Sequence, residues 1–235
     1  MKRNRRFCVF YVMLLTVFTG AVAALAVQFR EIRQGDEFYE QAAEAVFMEE
    51  GTGYSRWLSE LSGVYPGMIG WLQIPDTSVN YPVMSGPDNQ FYLNHLPDGS
   101  ENVCGSLFLD CRSNQESLHF IIYGHNGADG KMFGILKQYE SADFFEEHPA
   151  FTVITPEFCH VCPVFSVRRV KADGDDYRMD FRDKEELLDY ANHAAAESLY
   201  DTDTDFGNMA GIVTLSTCTG RRNQRLIVQG VLPRE

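Results

Sequence analysis

The chain has 235 residues, of which 45% are apolar and 13% aromatic, a composition typical of a folded globular protein. Its length fits one globular unit with an appendage and excludes two large domains. The formal net charge of −13 disfavours nucleic-acid binding.

The N-terminus has the pattern of a membrane anchor. Four of the first six residues are basic, and the uncharged apolar run over 7–27 has about the 20 residues that a helix needs to cross a bilayer. The positive-inside rule then predicts a cytoplasmic segment at 1–6, a transmembrane anchor at 7–27 and an extracellular remainder, hence a single-pass protein of the cell membrane. The extracellular part has 16 basic and 33 acidic residues, a net charge of about −17.

A cleavable signal peptide is the alternative interpretation of this segment. The triplets at 21–23 and 24–26 both have the A-x-A form of a cleavage site. The apolar run is longer than the 7–15 residues usual in signal peptides, which favours the anchor. Sequencing the N-terminus of the mature protein distinguishes the two.

The stretch from 28 to 65 is predicted to be an N-terminal helical region between the anchor and the globular body. It is rich in Glu, Gln and Ala, and its apolar residues recur close to helical spacing. The helices are expected to be interrupted at 51–53, where the sequence reads Gly-Thr-Gly.

The remainder, 66–235, is predicted to be a single folded domain, mainly β with helices. Short β-type runs separated by Gly, Pro, Asn and Asp indicate a barrel or a sandwich. The runs cover 68–74, 79–84, 106–109, 118–123, 151–155, 164–170, 212–218 and 226–232. One long helix is predicted over 183–200, with a capping box between Asp183 and Glu186 and a buried stripe of Leu187, Leu188, Ala191 and Ala195.

Cys218 is the candidate nucleophile. It ends a predicted strand on the same face as Thr214 and Ser216, and six residues separate it from the next strand, which begins near Arg225. If the two strands form a hairpin, Arg225 lies nearly opposite Cys218. A guanidinium there favours the thiolate and offers donors to an oxyanion, whereas a surface salt bridge is the alternative role for an arginine.

His125 is the candidate partner of the thiol. It follows an apolar strand and lies in the sequence Gly124-His125-Asn126-Gly127, where a side chain can project into a cleft. Cysteine nucleophiles need a nearby imidazole, which is usually distant in sequence. The other five histidines are expected to be structural or exposed.

These residues carry a resemblance to the sortases of class B. The stretch 214–218, Thr-Leu-Ser-Thr-Cys, followed by Arg225 at the head of an apolar strand, resembles the sortase TLxTC and Arg pattern. The stretches 120–126 and 130–136 resemble the region of the class B catalytic histidine, and 88–95 and 105–110 resemble further class B segments in the same order.

The resemblance implies an eight-stranded β-barrel with N-terminal helices and one long helix before the cysteine strand. It also implies a membrane-anchored transpeptidase. Cys218 would attack the carbonyl after a Thr in the C-terminal sorting signal of a secreted protein, and His125 would transfer protons. An amine of a cell-wall precursor or peptidoglycan, or a pilin Lys, would accept the acyl group. Arg225 would stabilise the oxyanion, and Ser216, Asn89 and Leu93 are weaker candidates for substrate contact.

Other functions remain open at this point. A cysteine peptidase shares the first half-reaction, while a silent wall-binding module is disfavoured by the intact Cys, His and Arg set. No cofactor is expected. Cys159 and Cys162 form a C-x-x-C motif, but residues three apart in a strand point to opposite faces, so neither a metal site nor a redox pair is predicted. Cys104 and Cys111 have no assigned role.

Overall fold

The computed structural model describes residues 2–47, 54–114, 116–127, 130–219 and 223–234. It begins with a helix, α1 (Lys2–Phe47), followed by α2 (Tyr54–Val64). Within α1, an 18-residue window reaches a mean hydropathy of 2.2 and none of it is buried, so the helix is long and apolar enough to cross a membrane. The interruption predicted at 51–53 lies outside the described residues.

The described residues contain eight strands that close into a barrel. They are β1 (Met68–Gln73), β2 (Asn80–Ser85), β3 (Leu107–Leu109), β4 (His119–Tyr123), β5 (Ala150–Ile154), β6 (Cys159–Lys171), β7 (Met209–Cys218) and β8 (Gln224–Pro233). Their order around the barrel is β1-β2-β3-β4-β7-β8-β6-β5, with β5 paired to β1. The pairs β2–β3 and β4–β7 are parallel and the others antiparallel. The predicted eight-stranded barrel with N-terminal helices is confirmed.

The barrel has an apolar interior and one covered outer face. Alternate residues of β7 point to the interior and to the outer face. Val213 and Leu215 pack inward, whereas Thr214 and Ser216 lie on the outer face and are also buried. Two further helices, α3 (Ala142–Glu147) and α4 (Lys184–Ala196), join the strands, and α4 packs on that outer face.

The long helix differs from its prediction in two respects. It ends at Ala196 rather than at 200, because the next residues bond to β6: the Val167 N–H donates to the Ser198 hydroxyl and the Leu199 N–H to the Val167 carbonyl. The buried stripe is also rotated, so that Leu188 is 37% exposed. The buried residues are Leu187, Tyr190, Ala191 and Ala194.

The predicted cap of this helix forms in part. The Asp183 carboxylate accepts the Glu186 N–H at 2.9 Å, as expected. Glu186 reaches one residue further back than a capping box requires and accepts the Arg182 N–H.

The C-x-x-C cysteines both lie in β6. Cys159 is exposed and Cys162 is fully buried, so the two side chains occupy opposite faces of the strand. Strand β6 begins at Cys159, five residues before the predicted start, because its first residues pair with β5.

Candidate active site

The strand order brings the ends of β4, β7 and β8 together. Strand β7 lies between the other two, parallel to β4 and antiparallel to β8. Cys218 is its last residue and pairs with Arg225. Because neighbouring strands lie about 5 Å apart, the guanidinium-bearing residue is adjacent to the candidate nucleophile. The side chain of Cys218 lies outside the described part of the structure.

His125 approaches from the opposite side of β7. Tyr123 pairs with Ser216, the Gly124 N–H donates to the Ser216 carbonyl at 3.2 Å, and the Thr217 hydroxyl donates to the Gly124 carbonyl at 2.9 Å. The strand pairing ends at Tyr123, and His125 follows Gly124 directly, so His125 lies just beyond the end of β4 that adjoins the Cys218 end of β7. The three predicted catalytic residues therefore lie at the same end of three adjacent strands.

Gly124 makes this approach sterically possible. A Cβ at this position would lie 2.4 Å from Leu107 Cδ2 and 2.7 Å from Phe133 Cδ2, both in the packed interior. The chain can therefore pass between β3 and the segment after β4 only as glycine. His125 follows at once and is half-buried, with Nε2 hydrogen-bonded to the Leu93 carbonyl.

Arg225 is also half-buried. Its Nη1 donates to the Gln224 carbonyl at 3.2 Å. Among the described residues no carboxylate forms an ion pair with it, so the alternative of a surface salt bridge finds no support there.

The three weaker candidates occupy different positions. Leu93 is 37% exposed and contacts His125 through its carbonyl. Asn89 is half-buried, and its side-chain carbonyl accepts the Cys111 N–H at 2.8 Å. Ser216 is only 1% exposed and its hydroxyl bonds to the Tyr177 hydroxyl at 2.8 Å, so Tyr177 covers it in this structure.

A buried carboxylate near this site was not predicted from the sequence. Asp110 follows β3, its side chain is inaccessible to solvent, and the Arg112 guanidinium binds both of its oxygens at 2.9 and 2.8 Å. The Tyr123 hydroxyl donates to it at 2.8 Å. A charged residue directly after an apolar strand was the signal in the sequence.

The electrostatics of this cluster follow from its contacts. Burial alone would raise the pKa of Asp110, but the hydrogen bonds from Arg112 and Tyr123 outweigh it and lower that pKa to about 2. Burial, followed by the neighbouring Asp110 charge, raises the pKa of Tyr123 well above its usual value. Asp110 is therefore ionised and Tyr123 protonated at neutral pH.

Two cavities flank the strand ends. One of about 330 Å³ lies on the outer face, and Asn89, Asp110, Tyr123, Tyr177 and Arg178 are among its lining residues. The other, of about 680 Å³, lies between α1 and the barrel and is lined in part by His125. Among the described residues, no group of three or more His, Cys, Asp or Glu side chains is arranged to hold a metal ion.

Comparison with known proteins identifies the family. The model of the sortase domain matches residues 72–233. Sortase B of Listeria monocytogenes is 32% identical over 180 residues, which span 74% of this chain and 73% of that protein.

Solved structures agree with this assignment. The structure of sortase B from B. anthracis has a TM-score of 0.77 at 27% identity and covers 88% of this chain and 100% of its own. A Staphylococcus aureus sortase B–substrate complex has a TM-score of 0.80 and covers 87% of this chain and 99% of its own; at 24% identity it shows the fold alone. The chain therefore belongs to the sortase family and, within it, to class B, a group of cysteine transpeptidases that anchor proteins to the cell wall.

Proposed function

We propose that this chain is a membrane-anchored transpeptidase that cleaves a C-terminal sorting signal after Thr and joins the secreted protein to an amine. Cys218 is the nucleophile, His125 its proton-transfer partner and Arg225 the stabiliser of the oxyanion. The observation that carries this proposal is the strand register. Cys218 pairs with Arg225 on one side, and the register of β4 leads to His125 on the other.

The first half-reaction forms a thioester. The Cys218 thiolate attacks the carbonyl carbon after the Thr, and the carbonyl oxygen becomes an oxyanion. Arg225 donates hydrogen bonds to that oxygen and also favours the thiolate. When the C–N bond breaks, His125 gives its proton to the leaving amine, so that the secreted protein remains attached to Cys218 as a thioester.

The second half-reaction reverses these proton transfers. An incoming amine loses a proton to His125, attacks the thioester carbonyl and forms a new amide, while Cys218 leaves as the thiolate. The amine belongs to a cell-wall precursor, peptidoglycan or a pilin Lys. A sortase B has been solved in complex with triglycine, which makes this peptide the first amine to test.

The sorting signal binds along the outer-face cavity. Asn89 lines this cavity, and Leu93 lies exposed beside His125. Ser216 lies on the same strand face as Cys218 but is buried beneath Tyr177, so it contacts the signal only if Tyr177 moves aside.

We propose that the chain is divided into four segments. Residues 1–6 are cytoplasmic, 7–27 cross the membrane, 28–65 form the N-terminal helical region and 66–235 form the extracellular catalytic domain. The apolar character of α1 supports the anchor, and the basic residues before it support the orientation.

The test uses the full chain in detergent micelles, incubated with a library of sorting-signal peptides and triglycine and followed by mass spectrometry. We expect cleavage after Thr, an acyl adduct on Cys218 and a triglycine-ligated product. Cys218→Ala should abolish all three. Cys159→Ala, which changes an exposed thiol on β6, is the matched control and should retain them.

The peptidase alternative predicts a different product. An adduct on Cys218 that only hydrolyses, even at high triglycine concentration, would assign the chain to the peptidases. Cleavage that persists in Cys218→Ala would remove Cys218 from the mechanism.

A further inference from the structure

A row of buried polar side chains crosses the outer face of four adjacent strands. His119 of β4, Thr214 of β7 and Gln229 of β8 are fully buried, and Arg168 of β6 is 6% exposed. Burial of such groups costs free energy unless they are hydrogen-bonded. Each member bonds to the next, so the row forms one connected network.

The chemistry of the donors fixes the direction of every bond in this row. A guanidinium can only donate, and Arg168 Nη2 donates to Gln229 Oε1 at 2.9 Å. Gln229 Nε2 therefore faces Thr214 and donates to its hydroxyl at 2.9 Å. Thr214 then gives its own proton to His119 Nε2 at 2.6 Å, which leaves Nδ1 as the protonated nitrogen of a neutral ring. His119 Nδ1 donates to the Arg178 carbonyl at 2.7 Å.

A second branch of the network ends close to Arg178, on the short segment 175–178. Gln229 Nε2 also donates to the Tyr190 hydroxyl at 3.1 Å, and Tyr190 donates to the Asp176 carbonyl at 3.0 Å. Arg168 additionally pairs with the Asp176 carboxylate at 2.7 Å. The two branches thus hold the backbone carbonyls on either side of Tyr177.

Tyr177 itself is held from a third direction. Its carbonyl accepts from Arg112 Nη2 at 3.3 Å. Side chains of α4, of the turn after β3 and of β4 therefore bind three consecutive carbonyls, those of Asp176, Tyr177 and Arg178. The ring of Tyr177 lies nearly parallel to that of Tyr123, and the Tyr177 hydroxyl bonds to the hydroxyl of Ser216, two residues before Cys218.

The segment held in this way forms one wall of the outer-face cavity. Asp175, Tyr177 and Arg178 line it together with Asn89 and Tyr123. The segment has little regular structure of its own, a single 3-10 turn over Asp175–Tyr177, so its position depends on these contacts.

We propose that His119 is a positioning residue for binding of the sorting signal, acting through its hydrogen bond to the Arg178 carbonyl. This inference rests on the proposed function. His119 is fully buried, so it does not touch the substrate. It holds the cavity wall in the shape that the peptide meets, and its loss weakens peptide binding more than it slows the chemistry.

Two amide substitutions separate the two bonds of the ring. The amide nitrogen of His119→Asn occupies the place of Nδ1 and keeps the bond to Arg178. The longer side chain of His119→Gln reaches the place of Nε2, so it keeps the bond to Thr214 and loses the one to Arg178. His193→Gln is the matched control, since the His193 side chain is 72% exposed on α4.

Steady-state cleavage by the full chain in micelles provides the first readout. His119→Gln should raise KM for the sorting peptide about fivefold, the equivalent of one hydrogen bond, while kcat changes less than about twofold. His119→Asn should restore KM to within about twofold of the unmodified chain, and His193→Gln should leave it unchanged. A merely structural role would lower the active fraction, and hence kcat, without raising KM.

Hydrogen exchange provides a readout that does not need activity. The amides of 172–182 should exchange faster in His119→Gln and at the original rate in His119→Asn, with those of β7 and β8 unchanged in both. Equal exchange and equal KM in all variants would overturn the inference, and so would an equal rise of KM in the Asn and Gln variants. If the unmodified chain cleaves no peptide, the proposed function fails while exchange still decides whether His119 holds the segment.

Discussion

Replacement of the buried Asp110 by Asn should destabilise the protein in a strongly pH-dependent way. Asparagine keeps the shape of the side chain but removes the charge that Arg112 binds. The pKa of Asp110 falls from an ordinary value of 3.8 to about 2. Since one pKa unit corresponds to about 1.4 kcal/mol, the ionised carboxylate stabilises the fold by about 2.5 kcal/mol at pH 7. A group with a lowered pKa contributes above its ordinary pKa, and the contribution is lost as the pH falls through the folded value.

The assay is urea unfolding of the full chain in micelles, followed by tryptophan fluorescence, to which the buried Trp71 contributes. The difference in unfolding free energy between the unmodified chain and Asp110→Asn should be about 2.5 kcal/mol at pH 7 and about half of that at pH 3. Asp189→Asn, on an exposed position of α4, is the control and should change little. A difference below about 0.5 kcal/mol at pH 7, or one that is the same at both pH values, would refute the reasoning.

Three further predictions concern other parts of the molecule. Arg225→Lys keeps the charge but loses the planar donors, so kcat/KM for peptide cleavage should fall about 100-fold with unfolding free energy nearly unchanged; a fall below threefold would exclude an oxyanion role. Burial lowers the pKa of His119 to about 4, although its hydrogen bond to the Arg178 carbonyl acts in the opposite direction. Because the unfolded chain then binds a proton more readily than the folded one, the free energy of unfolding should fall by about 3 kcal/mol between pH 7 and pH 4. The decrease should be smaller in His119→Gln. If urea unfolding showed the same decrease in unfolding free energy between pH 7 and pH 4 in both proteins, this prediction would be contradicted. Tyr39 attaches α1 to the barrel domain, because its hydroxyl donates to the Gly105 carbonyl and the Ser106 hydroxyl. Tyr39→Phe should therefore lower the free energy of unfolding by about 1–2 kcal/mol and make α1 more sensitive to limited proteolysis. Unchanged resistance of α1 to the protease would contradict this attachment.

Local pattern was enough to predict where the strands lie, but not every strand end, since β6 begins five residues before its predicted start. Every predicted β run overlaps an observed strand, because alternating apolar residues bounded by turn residues specify strands through short-range chemistry. The pairing of Cys218 with Arg225 followed from the same alternation and a short connection. Where a long-range contact decides, the pattern failed: the helix ends at Ala196 because the residues after it bond to β6.

The surroundings of the site could not be derived in this way. Asp110 meets Tyr123 through the pairing of β3 with β4, and Tyr177 reaches Ser216 from a segment 39 residues earlier in the chain. The sequence assigns His119 only to the histidines that are structural or exposed, because its burial and both its hydrogen-bond partners depend on the folded topology. The family resemblance named candidate residues, whereas the side chains that hold them in place appear only in the fold.

The cysteines also differ in ways that favour Cys218 as the reactive thiol. Burial raises the pKa of Cys104 and Cys159, and it raises that of Cys162 to about 12, so at pH 7 only about one Cys162 in 100,000 is a thiolate. Cys218, in contrast, pairs with Arg225. Treatment of the full chain with limiting iodoacetamide at pH 7 should therefore alkylate Cys218 faster than these three, with Cys162 unmodified until the protein unfolds.

The matched variant for this experiment is Arg225→Gln. It removes the positive charge beside Cys218 and should slow alkylation of Cys218 severalfold, while alkylation of Cys159 on β6 stays the same. Equal alkylation rates for Cys218 in both proteins would mean that Arg225 does not favour the thiolate, and its contribution to the reaction would then be confined to the oxyanion. Faster alkylation of Cys162 than of Cys218 in the folded protein would contradict the burial argument itself, because a thiol sealed in the barrel is neither ionised nor accessible.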